Sequence, residues 1–117
     1  MTNTTESKVH SAPVRTALSA TQIIASLAKV DGWKLHGDGA DVAIEKTYRF
    51  DNFLKTMAFV NALAYIAEQQ DHHPELLVSY KLCVVSYRTD SAGGALSRND
   101  FICAARASAL AVQRTAP

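Results

Sequence analysis

Apolar positions recur along this chain in two rhythms, one near 3.6 residues and one of two, and their succession predicts the elements. Ser19-Ala20-Thr21-Gln22 places a hydroxyl acceptor three residues before a glutamine, the capping-box pattern that opens a helix. Ile23, Ile24, Leu27 and Val30 follow at helical spacing, and Gly32 is expected to stop that helix near Asp31. Trp33-Lys34-Leu35 is a short strand, and His36-Gly37-Asp38-Gly39 is turn chemistry joining it to a second. From Val42 to Phe50 the chain alternates. Val42, Ile44, Tyr48 and Phe50 fall on one face, and Glu45, Thr47 and Arg49 on the other. Lys46 breaks the apolar face, which points to an edge strand or a sheet rim.

Asp51 is expected to cap a long helix whose stripe is Phe53, Met57, Val60, Ala64 and Ala67, widened by Leu54, Ala58, Ala62 and Tyr65. A face this broad predicts burial on two sides, against a sheet and against another subunit. The helix runs out before Pro74, which cannot continue it. Leu76 to Thr89 is rich in β-formers and, at 14 residues, long for one strand, so a hairpin turning near Lys81 is expected. Ser91-Ala92-Gly93-Gly94 is a loop. Ser97-Arg98-Asn99-Asp100 then pairs a hydroxyl cap with an acid three residues on. Phe101, Ile102, Ala105 and Ala109 line a last helix, which fades into Gln113 to Pro117. The order α-β-β-α-β-β-α predicts an α+β fold with its helices gathered on one face of an antiparallel sheet. Residues 1–16 read as a Ser/Thr-rich disordered tail and residues 17–117 as a single domain.

Composition narrows the function classes. The chain has 117 residues, with 12 Lys plus Arg against 11 Asp plus Glu. That balance leaves no basic stripe of the kind that neutralises phosphates, so direct nucleic-acid binding is not expected. No apolar run approaches the ~20 residues of a membrane span. Cys83 and Cys103 sit in apolar segments without metal-type spacing, and two buried free thiols in a reducing compartment is the simplest account of them. The first residues lack a secretory apolar core, which leaves the cytoplasm as the expected location. Lys8 and Arg15 keep organellar import open as an alternative.

Candidate chemistry concentrates in Glu68-Gln69-Gln70-Asp71-His72-His73-Pro74-Glu75, at the end of the long helix. Histidine gives and takes protons near neutral pH, and a neighbouring carboxylate orients it. The same residues also make a solvated helix terminus, with imidazolium groups at the negative end of the dipole. A metal site is the weakest of the three readings, because adjacent histidines lack further ligands at helical spacing.

The ordered surroundings carry more. Trp33, then Ile44-Glu45-Lys46-Thr47-Tyr48-Arg49-Phe50-Asp51-Asn52-Phe53, Phe59 to Ala64, Ala67-Glu68, Asp71-His72-His73-Pro74-Glu75, Tyr80, Thr89, Ala92-Gly93-Gly94, Leu96-Ser97 and Asp100 together resemble the pterin-4a-carbinolamine dehydratase pattern. The resemblance runs from Trp33 to about Ala107. It implies three helices on one face of a four-stranded antiparallel sheet, and a homodimer or homotetramer. The implied reaction is loss of water from a 4a-hydroxytetrahydropterin to give the quinonoid dihydropterin, with the pterin as substrate and no cofactor or metal. By that resemblance His72 is a general acid/base and His73 contacts the substrate. Glu68 and Asp71 hold the imidazoles, Pro74 and Glu75 edge the pterin ring, Thr89 lines the site, and Asp100 lies near the pterin or caps its helix.

The chain departs from the pattern at one position. Family members carry a third histidine after the threonine of the last strand, where this chain has Asp90. Ala95 is also an extra residue between Gly94 and Leu96. Asp90 is therefore expected to act as the base if burial favours its protonated form. Otherwise the chain is a weakened pterin-binding or protein-partner module, since the family in animals also serves as a dimerisation cofactor of a transcription factor.

Overall fold

The protein is described by a computed structural model that covers residues 15–90 and 95–115. The tail before Arg15, the loop Ser91-Ala92-Gly93-Gly94 and the last two residues lie outside the described residues.

The element order is α1 (Ala20–Leu27), β1 (Lys34–His36), a 3-10 turn (Gly39–Asp41), β2 (Ala43–Arg49), α2 (Phe53–Gln70), β3 (Glu75–Ser79), β4 (Leu82–Tyr87) and α3 (Arg98–Thr115). The four strands form one antiparallel sheet in the order β1-β2-β4-β3. Period two separates its faces. Ile44, Tyr48, Cys83, Val85 and Tyr87 are buried, while Thr47 and Arg49 face outward. The helices cover the apolar face, and Phe59, Leu63, Phe101, Cys103, Ala104 and Ala107 complete one core. Trp33 belongs to that core. Its Nε1 donates to Ser108 Oγ at 3.0 Å, and its ring meets Tyr48 edge-on at 6.2 Å.

The capping box of α1 forms as read: Ser19 Oγ accepts from Gln22 N at 3.2 Å, and Gln22 Oε1 accepts from Ser19 N at 2.9 Å. The helix is shorter than its apolar spacing suggested. After Leu27 the bonds tighten to three-residue steps, Lys29 N to Ser26 O and Val30 N to Leu27 O, so Val30 reaches the core from a turn. Gly37, at φ 76°, is required on two counts, because a side chain there would also come within 2.6 Å of the Asp41 carbonyl oxygen.

Other boundaries and faces also differ. Lys46 does not mark an edge strand, since β2 has a partner on each side. Its ammonium reaches out to the Asp31 carbonyl at 3.0 Å and lies 5.0 Å over the Tyr48 ring. The cap of α2 is Asn52, whose Oδ1 accepts from Lys55 N at 2.8 Å; Asp51 instead pairs with the Lys55 ammonium at 3.2 Å. The buried stripe of α2 is Thr56, Phe59, Leu63 and Ala67, rotated from the expected one, with Phe53, Ala64 and Tyr65 exposed and Leu54 80% exposed. Thr56 explains the rotation: its hydroxyl lies 3.0 Å from the Asn52 carbonyl and 3.1 Å from that of Tyr80, so a polar residue sits satisfied where hydropathy expects an apolar one. In α3 the buried set is Phe101, Cys103, Ala104, Ala107 and Ala111, while Ala105 and Ala109 are exposed. Alanine on every side blurs the amphipathic signal there.

Candidate active site

The end of α2 sets the site. Asp71 takes the left-handed conformation, φ 50° and ψ 45°, which short polar side chains tolerate better than others. His72 N then bonds to Ala67 O at 3.0 Å and Asp71 N to Glu68 O at 3.3 Å, closing the helix in the paired manner usual for a glycine. Pro74 favours an extended His73. The two imidazoles therefore leave the helix end in different directions and meet different partners.

His72 turns inward and is 8% exposed. Its ring stacks on Tyr87 at 5.7 Å and 12°. Its Nε2 lies 2.6 Å from Asp100 Oδ1, and Asp100 is fully buried. The other carboxylate oxygen, Oδ2, accepts from Thr89 Oγ1 at 2.7 Å and from Ser97 N at 2.9 Å. Thr89 has one hydroxyl proton and gives it to Asp100, so the 2.7 Å contact between Thr89 Oγ1 and Ser97 Oγ is donated by Ser97. Three donors on one buried carboxylate make Asp100 the hub. The acid three residues after Ser97 does hold its backbone N–H, as a capping box requires. The Ser97 hydroxyl, however, is spent on Thr89 rather than on the helix.

His73 turns outward. Its Nε2 lies 2.7 Å from Glu68 Oε2, one turn back on α2, and both side chains are well exposed. In each pair Nε2 donates to a carboxylate, leaving Nδ1 as the ring nitrogen available to a ligand.

Burial shapes the other ionisable groups beside the buried pair. It pushes the Tyr87 phenol well above its ordinary 10.0, and among the described residues the Tyr87 hydroxyl has no hydrogen-bond partner. Burial, and then the charge of Asp100, raises the Cys103 thiol to about 12; burial alone raises Cys83 to about 11. Both cysteines are free, as the sequence reading held, and both are inert thiols at neutral pH.

The residues singled out by sequence divide as follows. Glu68 and Asp100 each hold an imidazole, and Thr89 supports Asp100. Asp71 holds neither imidazole; its carboxylate lies 3.5 Å from Arg15. Pro74 is half-buried and Glu75, the first residue of β3, is exposed. Asp90 has a 90% exposed side chain and lies 3.7 Å from the Arg88 guanidinium, which also pairs with Asp41 at 3.3 Å. Among the described residues, none buries the Asp90 carboxylate. Sequence reasoning passed over Tyr87, Ser97 and Arg15 as site residues. Tyr87 was within reach of it, because it shares a strand face with Thr89, two residues on. Among the described residues no group of three or more His, Cys, Asp or Glu is placed to hold a metal ion.

Comparison with known proteins gives these positions a context. Residues 16–110 match the family model described as pterin 4 alpha carbinolamine dehydratase. A Paracidovorax citrulli protein provisionally named as such a dehydratase is 56% identical over 100 residues, covering 86% of this chain and 85% of its own. A Bdellovibrio bacteriovorus protein of the same provisional name is 46% identical over 108 residues, covering 90% and 87%. Among solved structures, a Brucella melitensis protein titled transcriptional coactivator/pterin dehydratase superposes with a TM-score of 0.74 at 29% identity, covering 82% of this chain and 99% of that one. A pterin dehydratase-like protein titled as a RuBisCO assembly factor shares the fold at a TM-score of 0.58 and 23% identity. The match spans every described element, from before α1 into α3, and includes both histidine–carboxylate pairs, so the chain belongs to the pterin-4-alpha-carbinolamine dehydratase family.

Proposed function

We propose that this protein removes water from 4a-hydroxytetrahydropterin to give quinonoid dihydropterin, in the cytoplasm, as a step of tetrahydrobiopterin recycling. The observation that carries the reading is the pair of adjacent imidazoles, each held through Nε2 by its own carboxylate. The reaction needs one proton delivered to the leaving hydroxyl on C4a and one taken from the neighbouring ring nitrogen. His73, exposed and backed by Glu68, is the donor to the leaving hydroxyl, since Glu68 stabilises the imidazolium that must form. His72, fixed by Asp100 and Tyr87, is the second proton-transfer group. With Nε2 held by Asp100, its Nδ1 is the nitrogen left to take the proton. Pro74 and Glu75 border the pterin. Asp90, with its charge held against Arg88, suits contact with the substrate better than proton abstraction.

Stopped-flow absorbance of chemically generated 4a-hydroxytetrahydropterin tests this. Wild type should accelerate dehydration, His72→Ala and His73→Ala should abolish most of the acceleration, and Asp90→Ala should change it only a few-fold. Equal rates for wild type and both histidine variants would overturn the assignment. If wild type is inactive and Asp90→His restores turnover, the chain is a pterin-binding relic of the enzyme.

Self-association is part of the proposal. Leu54 and Tyr65, 80% and 75% exposed on α2, and Leu77 on the edge strand β3 leave apolar surface uncovered in a single copy. A homodimer or homotetramer is expected, readable by size-exclusion chromatography with light scattering. A monomer at working concentration would favour the partner-protein alternative instead.

A further inference from the structure

We infer that Arg15 is a positioning residue for the histidine pair, the anchoring end of a clasp formed by the segment before α1; the inference rests on the dehydratase reading for its kinetic part only. Arg15 Nη2 donates to the Asp71 carbonyl oxygen, and the same nitrogen lies 3.5 Å from Asp71 Oδ2. Both contacts fall on the left-handed residue that turns the chain out of α2 and immediately precedes His72. Three residues after Arg15, Leu18 N bonds to Leu96 O at 2.9 Å, and Ala17 bridges Ser97. Ser97 is the residue whose backbone N–H holds Asp100.

The contacts close a ring. One side runs from Asp71 through His72 to Asp100 and Ser97; the other runs from Asp71 through Arg15 and Ala17 back to Ser97. The short segment thereby ties together the two ends whose separation fixes the 2.6 Å bond between His72 and Asp100. The arginine matters for a second reason. Asp71 has a Cβ in a backbone region where L-residues are disfavoured, so its conformation needs support from outside. A guanidinium that donates to its carbonyl and faces its carboxylate supplies that support, with a planar fork that an ammonium reproduces only in part. Arg15 touches neither imidazole, so its effect reaches them through the direction in which Asp71 releases the chain.

The experiment compares full-length wild type, Arg15→Ala and Arg15→Lys by two independent readouts. Imidazole NMR follows the ring signals of His72 and His73 across pH, and stopped-flow dehydration separates kcat from KM. In Arg15→Ala the His72 ring signals should shift and broaden. The variant's kcat should fall about ten-fold with KM changed less than about two-fold, as expected when reacting groups are misplaced by a fraction of an ångström. Arg15→Lys should recover part of both. Unchanged ring signals with unchanged kcat would overturn the inference, as would a fall in kcat that vanishes once the rate is corrected for the folded fraction. If wild type itself fails to dehydrate the carbinolamine, the dehydratase reading fails, and the ring signals alone decide the clasp.

Discussion

His72 and His73 are neighbours in sequence and the same chemical group, yet the fold gives them opposite surroundings. His72 is stacked on Tyr87 and bonded to a carboxylate that no water reaches, with Thr89 and Ser97 behind it. His73 stands in solvent with Glu68, a pair that salt and side-chain entropy weaken. The contrast separates two uses of one residue type. The buried imidazole is tied into the core through Asp100 and Tyr87, and the exposed one is not. On the dehydratase reading both rings move protons, and only His72 should also carry stability.

The sharpest way to break this contrast is to remove the hub. Asp100→Ala strands His72, Thr89 and the Ser97 N–H without their shared acceptor. It should cost about 3–5 kcal/mol in urea unfolding. A loss below ~1 kcal/mol would mean that the buried pair is dispensable. On the exposed side, His73→Ala should lower the dehydration rate about 100-fold or more. Its unfolding free energy should stay within about 0.5 kcal/mol of wild type.

Alkali probes the buried side alone. The folded thiols of Cys83 and Cys103 hold their protons to about 11 and 12, against an ordinary 9.0. The folded state therefore binds these protons more tightly than the unfolded chain. Their stabilising contribution is fully present below pH 9 and is lost as the pH rises from there through 11. Each thiol contributes a slope of up to about 1.4 kcal/mol per pH unit. Urea midpoints from pH 7 to 11 should be level and then fall, and Cys103→Ala should flatten part of the decline. The smallest effect belongs to Glu68→Gln. It loosens an exposed pair, so kcat should drop less than about five-fold and stability should hardly move.

The contrast was only half legible in the sequence. Element order, the four-stranded sheet and the hairpin turning at Tyr80-Lys81 followed from period and turn chemistry, because those signals are local. The faces of α2 and α3 did not, since Thr56 is buried through backbone carbonyls and alanine contributes weakly to any moment. The His-His-Pro run and Asp100 were visible as chemistry. Which imidazole Asp100 would hold was not, because that pairing spans 28 residues and depends on how α3 meets the end of α2. Asp90, read from the sequence as a base if burial favours its protonated form, has a side chain 90% exposed beside Arg88.

The left-handed exit at Asp71 also governs how the gene can change length. An α-helix advances about 100° and 1.5 Å per residue, so one codon inserted or lost inside the 18 residues of α2 would swing the departure point a quarter-turn or more around the helix. His72 would face a direction from which Asp100 lies out of reach, although every side chain of the pair was still encoded. The length of α2 is therefore set by the pair it has to deliver.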